Sequence, residues 1–274
     1  MNKKRVKDII TNVFVRMQKP YYQGVAAELA FFFLMSMVPL FIILGEFLGV
    51  FSISLDIITD LLEEYLSDDV FIDISQYFAH TPSGTVNIIF VVFALWSASK
   101  AQYSMIRIAN YTYTGLNSGL GFIKERIRAM VTVIITILLI VFSLAILVYG
   151  EPLMMLIGYY VDNVLGVHYN YNQLWYALRW PLGIAIYFFT ISFIYYLLPT
   201  KKLPYKKLIP GSILTSAGML VSTWIYSYYI NRFSNYDLLY GSLATIVGLL
   251  IWFYILGFVI VIGIVFNAAI EETR

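Results

Sequence analysis

The run from Gly24 to Phe51, GVAAELAFFFLMSMVPLFIILGEFLGVF, constrains this chain most. It exceeds the ~20 apolar residues that a helix needs to cross a bilayer. Hydrocarbon offers no partner for peptide groups, so such a run must be helical. Yet it carries Glu28, Ser36, Pro39 and Glu46. A carboxylate at the bilayer centre costs on the order of 2.5 kcal/mol or more, so it turns toward protein or water. Other segments must therefore shield it.

The remaining chain has the composition to do so. Of 274 residues, 60% are hydrophobic and 12% are charged, against about 25% charged in soluble domains. So little polar surface does not cover a soluble core. The expected fold is all-α: a polytopic membrane helix bundle with six transmembrane helices. The spans fall at about 25–50, 85–107, 129–149, 179–198, 210–230 and 242–267. Residues 24–274 then form a single membrane domain. There is no cysteine, which removes thiolate catalysis, disulfides and cysteine metal sites.

Residues 1–23 precede the spans. Val6, Ile9, Ile10, Val13, Phe14 and Met17 recur at helical spacing, and Lys3, Lys4, Arg5, Lys7, Arg16 and Lys19 lie mostly off that stripe. This predicts a cytoplasmic amphipathic basic helix. It suits an anionic leaflet, and equally the protein's own cytoplasmic face. Basic helices beside a span are topology signals, so no nucleic-acid partner is expected.

Segment 52–85 holds Asp56, Asp60, Glu63, Glu64, Asp68, Asp69 and Asp73 and no Lys or Arg. Ile57, Ile58, Leu61, Leu62 and Tyr65 thread an apolar stripe through them, which predicts an external interfacial helix. The D-x-D-x-D-G spacing of a calcium loop is missing. The third span is expected to end at Gly150-Glu151-Pro152. The fourth is expected to open at Arg179. Small residues mark spans five and six: Ser212, Ser216, Gly218 and Ser222, then Gly248, Gly257 and Gly263. They allow close helix approach, within the bundle or between subunits.

Charge placement sets the topology. With both termini in the cytoplasm, sixteen of the eighteen Lys and Arg residues fall inside, and only Arg179 and Arg232 fall outside. This is the positive-inside pattern of a plasma-membrane protein.

Glu28 and Glu46 are eighteen residues apart, five turns, so they share a face ~27 Å apart along the axis. Pro39 lies near that face. Lys100 and Arg107, seven apart, share a face near the cytoplasmic end of span two and are candidate partners for Glu28. Arg179 and Arg232 match the depth of Glu46. Two readings stay open: structural ion pairs, or a polar pathway or headgroup site in which Lys100 and Arg107 hold phosphate. Pro39 is either a hinge or fixed packing geometry. His80 and His168 stand alone in predicted external loops, and no catalytic, metal or cofactor motif appears.

Several ordered motifs resemble one family. They are Ala30-Phe31-Phe32 through Ser36 and Pro39, and Leu95-Trp96-Ser97-Ala98-Ser99-Lys100 followed by Asn110. Then come Tyr195-Tyr196-Leu197-Leu198-Pro199 with Pro210-Gly211, and Tyr240-Gly241-Ser242, Trp252, Gly263 and Asn267-Ala268-Ala269. The set is similar to the YihY/virulence factor BrkB family. One departure is Val265, where the family often has Glu. The resemblance implies a bacterial inner-membrane protein of six spans, and adds Asn110 and Asn267 to the polar set. Members were once labelled a transfer-RNA-processing ribonuclease. This sequence lacks a cytoplasmic His/Asp/Glu cluster for two metals, so no enzyme activity and no cofactor are expected. The expected function is a transporter or lipid flippase-like protein, acting on a lipid or small molecule. The alternative is a non-transporting envelope scaffold.

Overall fold

A computed structural model describes residues 3–50, 84–115, 121–165, 171–233 and 242–273. Segment 52–83 with its predicted interfacial helix, His80, His168, and the side chains of Pro39, Glu46 and Arg232 lie outside the described residues.

Within the described residues the regular structure is helical throughout. The helices are α1 (Lys3–Met17), α2 (Pro20–Val50), α3 (Gly84–Thr114), α4 (Phe122–Leu165), α5 (Tyr171–Leu197), α6 (Tyr205–Phe233) and α7 (Ser242–Glu272). Four stretches are long and apolar enough to cross a membrane: Phe122–Leu147, Gln173–Leu197, Tyr205–Ile230 and Ile246–Glu272.

Boundaries follow local chemistry. Pro20 opens α2, where its missing N–H costs no helical bond. Gly115, at φ 69°, ends α3 in the left-handed conformation, and its N–H bonds to the Tyr111 carbonyl. Two helices extend beyond the expected spans. Helix α4 continues past Gly150-Glu151-Pro152 to Leu165, 44 residues in all, while its apolar stretch ends at Leu147. One proline removes a single backbone bond, and the apolar residues after it (Leu153, Met154, Met155 and Leu156) sustain the helix. Gly150 also packs against Trp175 of α5, which ties the helix down just where a stop was expected. Helix α5 begins at Tyr171 rather than at Arg179, and carries Pro181 inside it. Arg179 is exposed, so its long side chain does not dictate a helix start.

The long helices pack in chain order, α2 on α3, α3 on α4, and so on to α7, which closes the circuit on α2. Neighbours run antiparallel. The starts of α2, α4 and α6 therefore meet the ends of α3, α5 and α7 at one pole. The main core joins α2, α3 and α7 through Leu29, Ile106, Ile108, Val261 and Ile264. Val265 is fully buried there. Helix α1 docks across this pole on the end of α7. Arg5 donates to the Ile270 carbonyl at 3.4 Å, and Arg16 reaches Glu272 at 2.6 Å.

The small residues of α6 and α7 serve packing inside the chain. A Cβ on Gly263 would lie 1.9 Å from Thr215 Oγ1 and 2.5 Å from the Tyr195 hydroxyl. There α5, α6 and α7 come together: the Tyr195 hydroxyl donates to the Ile260 carbonyl and sits 2.6 Å from Thr215 Oγ1.

Candidate functional site

The polar groups concentrate at the pole where α1 docks. Three clusters are built there, each on different helices.

The first holds Glu28. Ser104 of α3 donates to its carboxylate at 2.6 Å, and Arg107 forms an ion pair with it. Helical spacing places Ser104 and Arg107 on one side of α3. Both partners of the ion pair stay partly open, with 31% of the Glu28 side chain and 33% of the Arg107 side chain exposed. Tyr21 and Tyr111 pack edge to face beside them, with ring centroids 4.7 Å apart. Burial holds the Tyr21 hydroxyl above the ordinary tyrosine range, although Arg107 pulls the other way.

Lys100 does not share this pairing. Its ammonium lies over the rings of Phe32, at 5.3 Å, and Trp96, at 5.8 Å. Arg126 of α4 approaches the same indole at 4.6 Å and donates to the Trp96 carbonyl at 3.4 Å. Lys100 of α3 is level with Phe32, one helical turn beyond Glu28 on α2. Trp96, Lys100, Tyr103 and Arg107 thus follow one another at intervals of three or four residues. They form one stripe on α3, about 16 Å long. Trp96 is exposed and the other three are half-buried.

The second cluster caps α5. Arg128 donates to the Leu197 and Pro199 carbonyls at 2.7 and 2.6 Å, and to Thr200 Oγ1 at 2.7 Å. The last carbonyls of a helix lack internal donors and carry partial negative charge, which a guanidinium satisfies. Asn110, 1% exposed, completes the cap: it accepts the Thr200 N–H at 2.7 Å and donates to Thr200 Oγ1 at 2.9 Å. Nearby, burial and the Arg128 charge hold Lys202 below the ordinary lysine range. Replacing Arg128 by leucine strands these acceptors. The expected loss is about 2 kcal/mol, read as a lowered melting temperature of the detergent-solubilised protein.

The third cluster repairs a proline. Pro210 interrupts the first turns of α6. Asn267 of α7 accepts the Gly211 N–H at 2.6 Å and donates to the Leu208 carbonyl at 3.1 Å. A neighbouring helix thus bonds the backbone on either side of the proline.

The expected polar set is therefore divided. Glu28 and Arg107 pair. Lys100 stands on the same stripe but binds aromatic faces. Asn110 and Asn267 each join backbone on another helix, and Arg179 is exposed on α5. Pro39 and Glu46 are not among the described side chains. Ser104, Arg128, Thr200 and Thr215 had no sequence signal beyond being polar residues at helix ends or on apolar runs. Buried Glu125, beside Tyr103, was hidden among the basic residues that open α4.

Comparison with known proteins agrees over nearly the whole chain. The ribonuclease-like protein YfkH of Bacillus subtilis (strain 168) is 27% identical over 255 residues, covering 92% of this chain and 91% of that protein. The UPF0761 membrane protein VV0203 of Vibrio vulnificus (strain YJ016) is 25% identical over 262 residues, covering 90% of this chain and 77% of that protein. A UPF0761 membrane protein of Vibrio campbellii is 33% identical over 95 residues, 35% of this chain and 30% of that protein. No solved structure matches the chain. The model of the family described as Virulence factor BrkB matches residues 13–274, and the chain belongs to that family.

Proposed function

We propose that this is a six-span bacterial plasma-membrane protein with both termini in the cytoplasm, and that it moves a lipid or other amphiphile across the membrane. Helices α2 and α3, 31 residues each, are long enough to join the four apolar stretches as spans. The excess of Lys and Arg at the α1 pole supports a cytoplasmic assignment for that pole. Helix α1 then lies at the cytoplasmic leaflet. Ile10 and Phe14 are exposed on it beside Lys3 and Lys7, a combination suited to an anionic surface.

One observation carries the transport reading. The stripe Trp96–Lys100–Tyr103–Arg107, with Glu28 beside Arg107, is partly exposed rather than sealed in the ring of helices: Trp96 is exposed and the other three are half-buried. A partly exposed polar track gives a headgroup an alternative to bare hydrocarbon, where each charge costs several kcal/mol. Hydrolytic chemistry is not part of the reading, although the Bacillus relative is named ribonuclease-like.

The test is lipid scrambling. Proteoliposomes holding the purified chain are expected to flip fluorescent phosphatidylglycerol at least tenfold faster than empty vesicles. Glu28→Gln/Arg107→Gln should slow this toward the empty-vesicle rate while the protein stays folded. Flipping no faster than in empty vesicles would favour the second reading, an envelope scaffold. That reading rests on Glu28 already being satisfied by Ser104 and Arg107.

A further inference from the structure

The charges around α3 and the start of α4 do not balance. Lys100, Arg107, Lys124, Arg126 and Arg128 gather there, against Glu28 and Glu125. Glu28 is taken by Arg107 and Ser104. Glu125 is buried beside Tyr103. Arg128 is engaged with the end of α5. Lys124 is exposed, and Lys100 and Arg126 are left facing one indole, with aromatic rings and a carbonyl as their neighbours. Two cations packed on one exposed tryptophan, with no carboxylate bonded to either among the described residues, leave room for an anion.

The surroundings define that anion. Trp96 is 49% exposed, and Val92 and Phe93 lie open on the preceding turn of α3. On α4, Ile123, Ile127 and Val131 form an exposed apolar row, spaced four residues apart on one face. Exposed apolar side chains thus flank the cations on both α3 and α4. A free ion has no use for those surfaces, whereas an acyl chain does. An indole with cations on its face, beside apolar rows, is also the pattern of a membrane–water boundary.

We propose that Lys100, Arg126 and Trp96 form a binding site for the phosphate of an anionic phospholipid, with its acyl chains lying against the exposed rows of α3 and α4. The site names the substrate class for the transport reading and rests on it for that role. Binding itself does not depend on turnover. The guanidinium and ammonium neutralise the phosphate. The indole shields the group from bulk water and strengthens the charge interaction.

Retained lipid in the purified full-length protein is the measurement, made by native mass spectrometry and by titration with short-chain phosphatidylglycerol or phosphatidylcholine in neutral detergent. Wild-type protein is expected to hold one phosphatidylglycerol in preference to phosphatidylcholine. Lys100→Gln/Arg126→Gln should weaken phosphatidylglycerol at least tenfold and leave phosphatidylcholine unchanged. Lys201→Gln/Lys202→Gln, a change in other basic residues, should leave both unchanged. If the double variant is misfolded, Arg126→Gln alone should weaken binding and Arg126→Lys should restore most of it. Equal phosphatidylglycerol affinity in wild type and variant overturns the site. Displacement by inorganic phosphate at equal concentration overturns a lipid as its occupant. Preferential binding without scrambling keeps the site and rejects the transport reading. Scrambling that survives in a variant without preferential binding keeps both the site and transport and rejects the site as the substrate's route.

Discussion

Gly263→Val is expected to abolish most of the folded protein. Even the first carbon of the side chain would stand 1.9 Å from Thr215 Oγ1, 2.5 Å from the Tyr195 hydroxyl and 2.9 Å from the Gly211 carbonyl. None of the three is a loose end. Tyr195 and Thr215 are fully buried and joined to each other, and Tyr195 is bonded to the Ile260 carbonyl. The Gly211 N–H is held by Asn267. Relief requires α6 and α7 to separate at a joint where hydrocarbon offers no substitute bonds. Overpacking of this kind costs about 1–3 kcal/mol, and a lost buried hydrogen bond adds about 1–3 kcal/mol. A fluorescent-protein fusion run on size exclusion in mild detergent should show the monodisperse peak falling by at least ~90%. Thr215→Ala in the same chain removes the closest obstacle, so Gly263→Ala/Thr215→Ala should recover part of the peak. An unchanged peak for Gly263→Val would mean that the three helices do not meet as described.

This joint shows what the sequence made legible. That Gly263 and the other small residues bring helices close was readable, because lipid-embedded helices associate by packing rather than by hydrophobic burial. Whether they faced inward or toward another subunit was not readable, since both use the same residue types. The partner of Glu28 was readable in part. Lys100 and Arg107 share a face, but only Arg107 is level with the carboxylate. Periodicity gives the face and not the height at which two helices are set against each other. The continuation of α4 beyond its span was not readable, because Gly-Glu-Pro is a stop signal in water. Trp175, packed on Gly150, is a long-range contact with no trace in local sequence. The backbone tasks of Asn110 and Asn267 were equally invisible, because nothing in a single asparagine shows which distant carbonyl it reaches.

Reversing the Glu28–Arg107 pair separates the structural from the functional reading of the seam. Glu28→Arg and Arg107→Glu each put two like charges face to face between α2 and α3, a contact with one-third exposure on either side. An exposed pair is worth about 0–1 kcal/mol, and breaking a buried one costs about 3–5 kcal/mol. A partly open pair beside a membrane falls between, so each single variant should lose about 1–3 kcal/mol. In the double variant the opposite charges face each other again, and the melting temperature should return to within a few degrees of wild type. Ser104 then matters. Its hydroxyl donates to Glu28 across the helix interface, and after the swap it sits one turn from a carboxylate on its own helix. Recovery of stability is therefore expected to be incomplete. Lipid scrambling is expected not to recover, because the cation would move from α3, where it continues the line of Lys100 and Trp96, to α2. The headgroup track would gain an acid at its mouth, which repels phosphate. A double variant that regains both stability and scrambling shows that only the neutrality of the pair matters. One that regains stability alone shows that the order of charges along α3 is used for transport.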